Sequence, residues 1–199
     1  YLNERQFSKA EALAVSLTQR FPKHPFGWKA LGALLYQTGH VSESVAPSQK
    51  AVELGPDDDN AHNNLGISLR VLGKLNEATE SFRKAIALKS DCAEALANLG
   101  ITLQEMGRLE EAEAALRQAI LSKPNFAESH RNLGNVLRGQ DKLEEAANSY
   151  NQAITLKLDF AEAHSDLGIA LQEMGRLEEA VNSYNQAIIF KPDFAGAHS

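Results

Sequence analysis

Four histidines occupy the same place in a pattern that returns every 34 residues, and imidazole is well suited to bind metals or carry protons near neutral pH. They are His62, His130, His164 and His198. A zinc ion holds its ligands at about 2 Å, whereas side chains one repeat apart on stacked helices are separated by roughly 10 Å. Trp28 occupies the same place in an earlier repeat. We therefore predict packing residues at the edge of a helix interface, and no metal site.

Paired carboxylates are a second candidate, because two neighbouring acids can share general acid and base catalysis. The pairs are Glu110-Glu111, Glu144-Glu145 and Glu178-Glu179. They recur near the start of a predicted helix, where the helix dipole favours negative charge, so they indicate architecture. Cys92 is the only cysteine, and the sequence has no GxSxG, HExxH or glycine-rich phosphate motif. We predict no catalytic residue, no cofactor and no enzyme activity.

A 34-residue repeat must position these side chains, and glycines in leucine-glycine pairs define it. The glycines are Gly32, Gly66, Gly100, Gly134 and Gly168. With each glycine as position eight, the full repeats are residues 25–58, 59–92, 93–126, 127–160 and 161–194. Residues 1–24 fit the second half of a preceding repeat, and residues 195–199 begin a truncated one. The sequence therefore predicts one solenoid domain built by stacking.

Apolar residues within each repeat fall at three- and four-residue steps, which predicts two amphipathic helices. Gly39, Gly73, Gly107 and Gly175 suit the left-handed position that ends the first helix, and Asp141 is a poorer substitute in the fourth repeat. The small residues at positions 8, 20 and 27 predict closely approaching helices. The expected fold class is all-α, an array of antiparallel helix pairs that bury their apolar faces against their neighbours.

Six residues carry a resemblance to a known family: Trp28, Leu31, Gly32, Ala78, Phe82 and Ala85. Their order and spacing resemble the tetratricopeptide repeat pattern, a helix-turn-helix unit of about 34 residues. The resemblance implies a right-handed superhelical solenoid whose concave groove is lined by the first helix of each repeat. It also implies a protein that holds peptides or partner proteins, as bacterial tetratricopeptide repeat arrays do.

Position six of each repeat faces that groove by helical spacing and by analogy with the family. Four of its residues form what we name the position-six ladder: Asn64, Asn98, Asn132 and Asp166. An asparagine amide both donates and accepts hydrogen bonds, so such a row can hold the backbone of an extended peptide. The ladder resembles that in the repeat array of the O-linked N-acetylglucosamine transferase. The alternative is that asparagine is simply common here and solvated.

The other predicted groove residues are mainly basic: Arg70, Arg131, Asn135 and Arg138. Glutamates at position two would favour basic peptides, but these arginines could neutralise them, so the charge of the ligand stays open. Some members of the family hold a C-terminal carboxylate in a clamp. Arg131 and Asn135 match its first two positions, but Asp166 would repel a carboxylate, so no clamp is predicted.

The first full repeat departs most from the pattern. Ser44 and Ser48 replace the usual alanine and large apolar residue, and Pro47 stands inside the predicted second helix. Because an interior proline costs about 3 kcal/mol and usually kinks a helix, we expect this helix to be bent or shortened.

Charge and composition exclude several classes of function. The chain of 199 residues has 20 Lys and Arg against 26 Asp and Glu, for a net charge of −6, which disfavours nucleic-acid binding. Its apolar runs are too short for a membrane span. The single cysteine and the lack of a signal segment favour the cytoplasm.

Three functions remain open. The leading one is a non-catalytic scaffold for a peptide or partner protein in the concave groove. The second is the substrate-recruiting region of a larger enzyme of the glycosyltransferase or sulfotransferase type, which agrees with a chain cut from a longer protein whose N-terminus lies upstream. The third is end-to-end self-assembly of uncapped repeats, with Tyr184 and Ile188 as candidate contact residues.

Overall fold

A computed structural model describes the chain from residue 2 to residue 191, with side chains from residue 7 onward. His198 and the predicted truncated repeat 195–199 lie outside the described residues. The described part contains eleven α-helices and no strand. They are α1 (Leu2–Arg20), α2 (Pro25–Gln37), α3 (Val41–Leu54), α4 (Asp59–Val71), α5 (Leu75–Leu88), α6 (Ala93–Glu105), α7 (Leu109–Ser122), α8 (Ala127–Gly139), α9 (Leu143–Leu156), α10 (Ala161–Glu173) and α11 (Leu177–Phe190).

The all-α class is confirmed, and consecutive helices pack in pairs as a helical solenoid requires. Helix α2 packs on α3 and α4 on α5, and in the second half of the chain α8 packs on α9 and α10 on α11. The chain divides into two compact units, unit 1 with residues 1–102 and unit 2 with residues 103–199. Within unit 1, α2 also contacts α4, and within unit 2, α8 contacts α10. The first helices of successive repeats therefore lie side by side within each unit.

The first helices end in left-handed residues, as the sequence predicts. The backbone φ is 85° at Gly39, 73° at Gly73 and Gly107, 77° at Gly175 and 62° at Asp141. The next residue then bonds back to the helix, as in the 2.9 Å bond from the Lys142 amide to the Leu137 carbonyl. This is the Schellman arrangement that satisfies otherwise orphaned carbonyls, and it turns the chain into the second helix.

The small residue at position eight is needed because the residue at position 24 packs directly on it. A Cβ atom on Gly66 would lie 2.6 Å from a ring carbon of Phe82, and one on Gly134 would lie 2.5 Å from a ring carbon of Tyr150. Both rings are fully buried. The predicted close approach of the helices is therefore confirmed, and each glycine leaves space for a large core side chain.

Pro47 does not shorten its helix, so that part of the expectation is wrong. Helix α3 spans 14 residues, the same length as α5, α7, α9 and α11. Ser44, Pro47, Ser48 and Ala51 form the buried face of α3. The proline removes one backbone bond within the helix, and the packing of this face holds the remaining turns in place.

Candidate functional site

The predicted groove residues of unit 1 lie on the exposed side of α2, α4 and α6. We name this surface the unit 1 face and define it by Ala33, Tyr36, Asn63, Asn64, Ile67 and Asn98. All six residues are half-buried. The helices that carry them begin at equivalent positions of successive repeats, so the residues lie within the same two turns of neighbouring helices. The face combines short amides with apolar side chains and has no acidic residue among its six members.

Two members of the position-six ladder lie on the unit 1 face, and they differ in their bonding. The Asn98 amide donates a 3.1 Å hydrogen bond to Oδ1 of Asn63 on the preceding first helix. The Asn64 side-chain amide makes no hydrogen bond to any described residue. It therefore presents both its donor and its acceptor to whatever lies over the face.

A small pocket opens beside Asn64. Its volume is about 180 Å³. It is lined by Gly32, Ala33, Tyr36, Gln37, Asn64, Ile67 and Ser68. The pocket is not predicted from the sequence, because its walls come from two helices, α2 and α4, whose spacing no local pattern specifies. Arg70, another predicted groove residue, is half-buried near the end of α4.

In unit 2 most of the predicted groove residues bond to other side chains of the protein. Arg131 forms a 2.6 Å ion pair with Asp166, and Arg138 forms a 3.2 Å ion pair with Glu173. Asn132, which directly follows Arg131 in the sequence, is half-buried and has no side-chain hydrogen bond within the described part of the chain. The charges of this face are therefore largely compensated.

Asn135 accepts a 2.8 Å hydrogen bond from the Tyr150 hydroxyl. Burial, and then the negative charge of Asp166, raise the pKa of Tyr150 well above its ordinary value. The hydroxyl therefore stays protonated and keeps donating at any physiological pH. Asn135 acts in this structure as a partner of the core, with one acceptor oxygen already used.

The three position-four histidines in the described part of the chain pack as predicted, and each makes the same hydrogen bond. The Nε2 atom of His62 lies 2.9 Å from the Pro56 carbonyl oxygen. The Nε2 atom of His130 lies 3.0 Å from the Pro124 carbonyl, and that of His164 lies 3.1 Å from the Leu158 carbonyl. The Trp28 indole donates the equivalent 2.9 Å bond to the Pro22 carbonyl. Each ring ties the start of a first helix to the preceding turn. Among the described residues, no group of His, Cys, Asp and Glu is placed to hold a metal ion.

The paired carboxylates lie at the starts of second helices and bond to neighbouring arginines. Glu111 and Arg108 form two 2.7 Å hydrogen bonds, and Glu179 bonds to Arg176 at 2.8 and 2.6 Å. The bonds from Arg176 hold the pKa of Glu179 below its usual range. These exposed pairs fasten the turn before the helix, which is the architectural role that the sequence predicts.

Models of the tetratricopeptide repeat family match residues 57–120 and 161–194, and a further model, of the TPR repeat, matches residues 134–175. The matched segments agree with the helix pairs and with the glycine and alanine positions described above. The chain is a tetratricopeptide repeat protein. No curated protein matches it in sequence.

This tetratricopeptide repeat protein is similar in fold to many solved structures, among them those of PilF, MamA and YrrB. PilF of Pseudomonas aeruginosa aligns with a TM-score of 0.79 at 24% identity, over 87% of this chain and 79% of that one. MamA aligns with a TM-score of 0.73 at 25% identity, over 83% and 96%. YrrB, described as a TPR protein with an unusual peptide-binding site, aligns with a TM-score of 0.70 at 20% identity, over 93% and 95%.

The family assignment supports a protein-interaction scaffold, since tetratricopeptide repeats typically bind proteins or peptides and carry no catalytic residues. Within the described part of this repeat protein, none of the helices combines the length and the apolar character needed to cross a lipid bilayer.

The two candidate self-assembly residues lie on α11 and differ in environment. The ring of Tyr184 packs inward against Gly168, and its hydroxyl donates a 2.9 Å bond to Gln172. Ile188 is half-buried. Nearby on the same helix, Val181 and Ile189 are 56% and 64% exposed. Tyr184 thus serves the core of the repeat, whereas Ile188 lies next to an exposed apolar surface.

Proposed function

We propose that this protein is a non-catalytic scaffold that binds an extended peptide segment of a partner protein along the unit 1 face. The observation that carries the proposal is the Asn64 amide, which has no hydrogen-bonding partner among the described residues and lies on a half-buried surface beside a pocket. An extended peptide presents one N–H and one C=O at each residue. An asparagine side chain can satisfy one of each.

The neighbouring amides extend this recognition along the face. Asn98 uses one of its N–H groups for Asn63, which leaves its carbonyl oxygen with capacity to accept a hydrogen bond. The Asn63 to Asn98 bond also fixes the orientation of both side chains before a ligand arrives. Preorganised side chains lose less conformational entropy on binding, which favours affinity for a backbone without regard to its sequence.

The face of unit 2 is less suited to the same task. There, Arg131 and Asp166 already pair at 2.6 Å, and Arg138 and Glu173 pair at 3.2 Å. A peptide would have to displace or desolvate these pairs, and the energy of a new bond would be offset by the loss of the old one. The proposal therefore places the main contact on unit 1.

The test starts from a selection of random 12-residue peptides displayed on phage against the purified chain. Affinities of the selected peptides are then measured by fluorescence anisotropy for the wild type, for Asn64→Ala and for Asn132→Ala. Loss of one hydrogen bond to a peptide group costs about 1 kcal/mol. We therefore expect Asn64→Ala to weaken binding about fivefold to tenfold.

Asn132→Ala is the matched control, since it removes the same side chain at position six of a repeat in unit 2. It should leave the affinity within about twofold of the wild type, and circular dichroism should show the same helix content for all three proteins. The proposal fails if no peptide is selected, or if Asn64→Ala binds as tightly as the wild type. Equal losses in the two variants would refute the placement on unit 1.

A further inference from the structure

The side chain at position 24 normally fills a slot beside the glycine of position eight. Phe82 fills it in the second repeat, Tyr150 in the fourth and Tyr184 in the fifth, each within 2.6 Å of where a glycine Cβ would lie. In the first repeat this residue is Ser48, and its hydroxyl lies beside Gly32. A serine has no ring to fill the slot.

Tyr150 shows which residues surround a filled slot. Its ring packs on Gly134 at position eight, and its hydroxyl bonds to Asn135 at position nine. The hydroxyl also lies close enough to Arg138, at position 12, and to Asp166, at position six of the next repeat, for both charges to act on its pKa. The ring thus packs on position 8 and the hydroxyl bonds to position 9, with the charged groups of position 12 and of position six of the next repeat near the hydroxyl.

The same four positions line the pocket on unit 1, where they are Gly32, Ala33, Tyr36 and Asn64. Helix α3 lies near the glycine, since a Cβ on Gly32 would be 3.2 Å from the Ser48 backbone nitrogen. The pocket of about 180 Å³ is lined by residues of α2 and α4 only. It therefore shares positions 6, 8, 9 and 12 with the surroundings of the Tyr150 ring and hydroxyl in the fourth repeat.

We propose that this pocket receives an aromatic side chain, phenylalanine or tyrosine, of the peptide that binds the unit 1 face. Protein cavities of about 150 Å³ lined by apolar side chains admit benzene, so the pocket is large enough for one ring. Ala33, Ile67 and the glycine supply the apolar walls. The inference rests on the proposed function, because that function supplies the peptide whose side chain occupies the pocket.

Polar atoms at the edge of the pocket suit the hydroxyl of a tyrosine. Within the chain, the Tyr150 hydroxyl finds an asparagine and the Tyr184 hydroxyl finds a glutamine, at 2.8 and 2.9 Å. The pocket offers the same two chemical groups in Asn64 and Gln37. A bound tyrosine would thus have acceptors of the same chemical type as its internal counterparts, at positions 6 and 13 of the repeats.

The test uses p-cresol, the side chain of tyrosine, as a probe in nitrogen-15 NMR titrations of the full chain. We expect saturable shifts of the Gly32, Ala33 and Ile67 amide signals. In Ala33→Ile these shifts should be lost, because isoleucine fills the opening. Position nine is isoleucine in three other repeats, as Ile67, Ile101 and Ile169, so the variant is compatible with the fold. Ala87→Ile, the same substitution at an exposed position of α5 outside the pocket, is the control and should bind p-cresol like the wild type.

The peptides selected for the proposed function provide the second readout. They should share one aromatic residue. Replacing that residue by alanine should weaken the binding of the peptide to the wild-type protein at least tenfold. The same replacement should weaken its binding to the Ala33→Ile variant less than twofold. The inference is overturned if the p-cresol shifts are absent or not saturable, or if the selected peptides have no common aromatic residue. In that case Asn64-dependent peptide binding would still support the proposed function. If p-cresol binds but no peptide is selected, the proposed function is overturned. The assignment of a peptide side chain as the occupant of the pocket is then overturned as well.

Discussion

The Tyr150 hydroxyl donates a 2.8 Å hydrogen bond to Oδ1 of Asn135, which links the buried centre of the fourth repeat to its exposed first-helix face. Tyr150 is fully buried, whereas the equivalent bond of Tyr184 to Gln172 is exposed. A buried hydrogen bond is worth more than one that water can replace. The two tyrosines occupy the same position of the repeat, so they can be compared directly.

We expect Tyr150→Phe to lower the free energy of unfolding by about 1 kcal/mol, because it removes a buried donor and leaves the Asn135 oxygen without its partner. Tyr184→Phe should lower it by less than half as much, since water can hydrogen-bond to Gln172 instead. Urea denaturation followed by circular dichroism measures both values. A larger loss in Tyr184→Phe than in Tyr150→Phe would contradict this explanation.

Gly134 is required because its neighbour is a ring, and this requirement can be tested on a single helix. A Cβ at this position would lie 2.5 Å from Cε1 of Tyr150, so Gly134→Ala should destabilise the protein by about 1 to 3 kcal/mol through overpacking. Gly139, on the same helix, is the control, since its Cβ would lie 3.4 Å from Leu109. Gly139→Ala should leave the urea midpoint unchanged or raise it slightly. Equal effects of the two substitutions would argue against a steric role for Gly134.

Asp141 holds a backbone conformation that the other four repeats assign to glycine. Its φ of 62° lies in the left-handed region, where a side chain is strained and aspartate is better tolerated than alanine. We expect Asp141→Ala to lose about 1 kcal/mol of stability and Asp141→Gly to gain up to about 1 kcal/mol. Thermal unfolding of the three proteins should rank them in the order Gly, Asp, Ala. An alanine variant as stable as the wild type would show that the turn relaxes to a negative φ.

The 34-residue period made the fold readable from the sequence, because the same physical requirement is visible five times. One glycine in a turn is ambiguous, whereas Gly39, Gly73, Gly107 and Gly175 at one position require a left-handed residue, and even Asp141 was recognised as its substitute. The amphipathic stripes and the small residues at helix contacts are local patterns of the same kind. They predicted helices, pairing and packing without any long-range information.

The chemistry of the face was less predictable, because it depends on which side chains meet across repeats. Arg131 and Asp166 are 35 positions apart, and their types alone did not indicate whether they would face a ligand or each other. The pocket beside Asn64 was missed for a related reason. Its lining residues belong to α2 and α4, so its size depends on the spacing of two helices, which the sequence does not contain.

Self-association remains a prediction that the structure does not test, and Ile188 is the residue to change. It is half-buried on the helix that also carries Val181 and Ile189, both of which are largely exposed. If this apolar surface binds a second copy, light scattering should show a mass that rises above 21.7 kDa with concentration. Ile188→Lys should abolish the rise, because a charge would be buried in the contact. Gln186→Lys, an exposed position on the same helix, should have little effect. A monomer at all concentrations would exclude self-assembly of this chain.

Glu113 gives the clearest pH dependence, since its carboxylate lies on the buried side of α7. It pairs with Lys142 at 2.9 Å and with Arg117 at 2.6 Å, while its side chain is only 11% exposed. Burial raises the pKa of Glu113, but hydrogen bonds from Lys142 and Gln140 and the Arg117 charge outweigh it, so the pKa lies below the ordinary value. A carboxyl with a lower pKa in the folded state stabilises the fold above its unfolded pKa. That contribution is lost as the pH falls through the folded value.

The effect of Glu113→Gln on stability should therefore depend on pH, because the ionised carboxylate stabilises the fold and the protonated carboxyl does not. At pH 7 the variant should be less stable than the wild type by roughly 1.5 to 3 kcal/mol, the value of a hydrogen bond to a charged group. The difference should shrink as the pH is lowered below about 4.5, the ordinary range of a glutamate pKa, because the wild-type carboxyl is then protonated as well. Glu110→Gln, at an exposed position on the same helix, is the control and should follow the wild-type curve. The test is to measure the urea midpoints of all three proteins from pH 3 to pH 8. If the difference between the wild type and Glu113→Gln stays constant across this range, the Glu113 charge contributes nothing to stability.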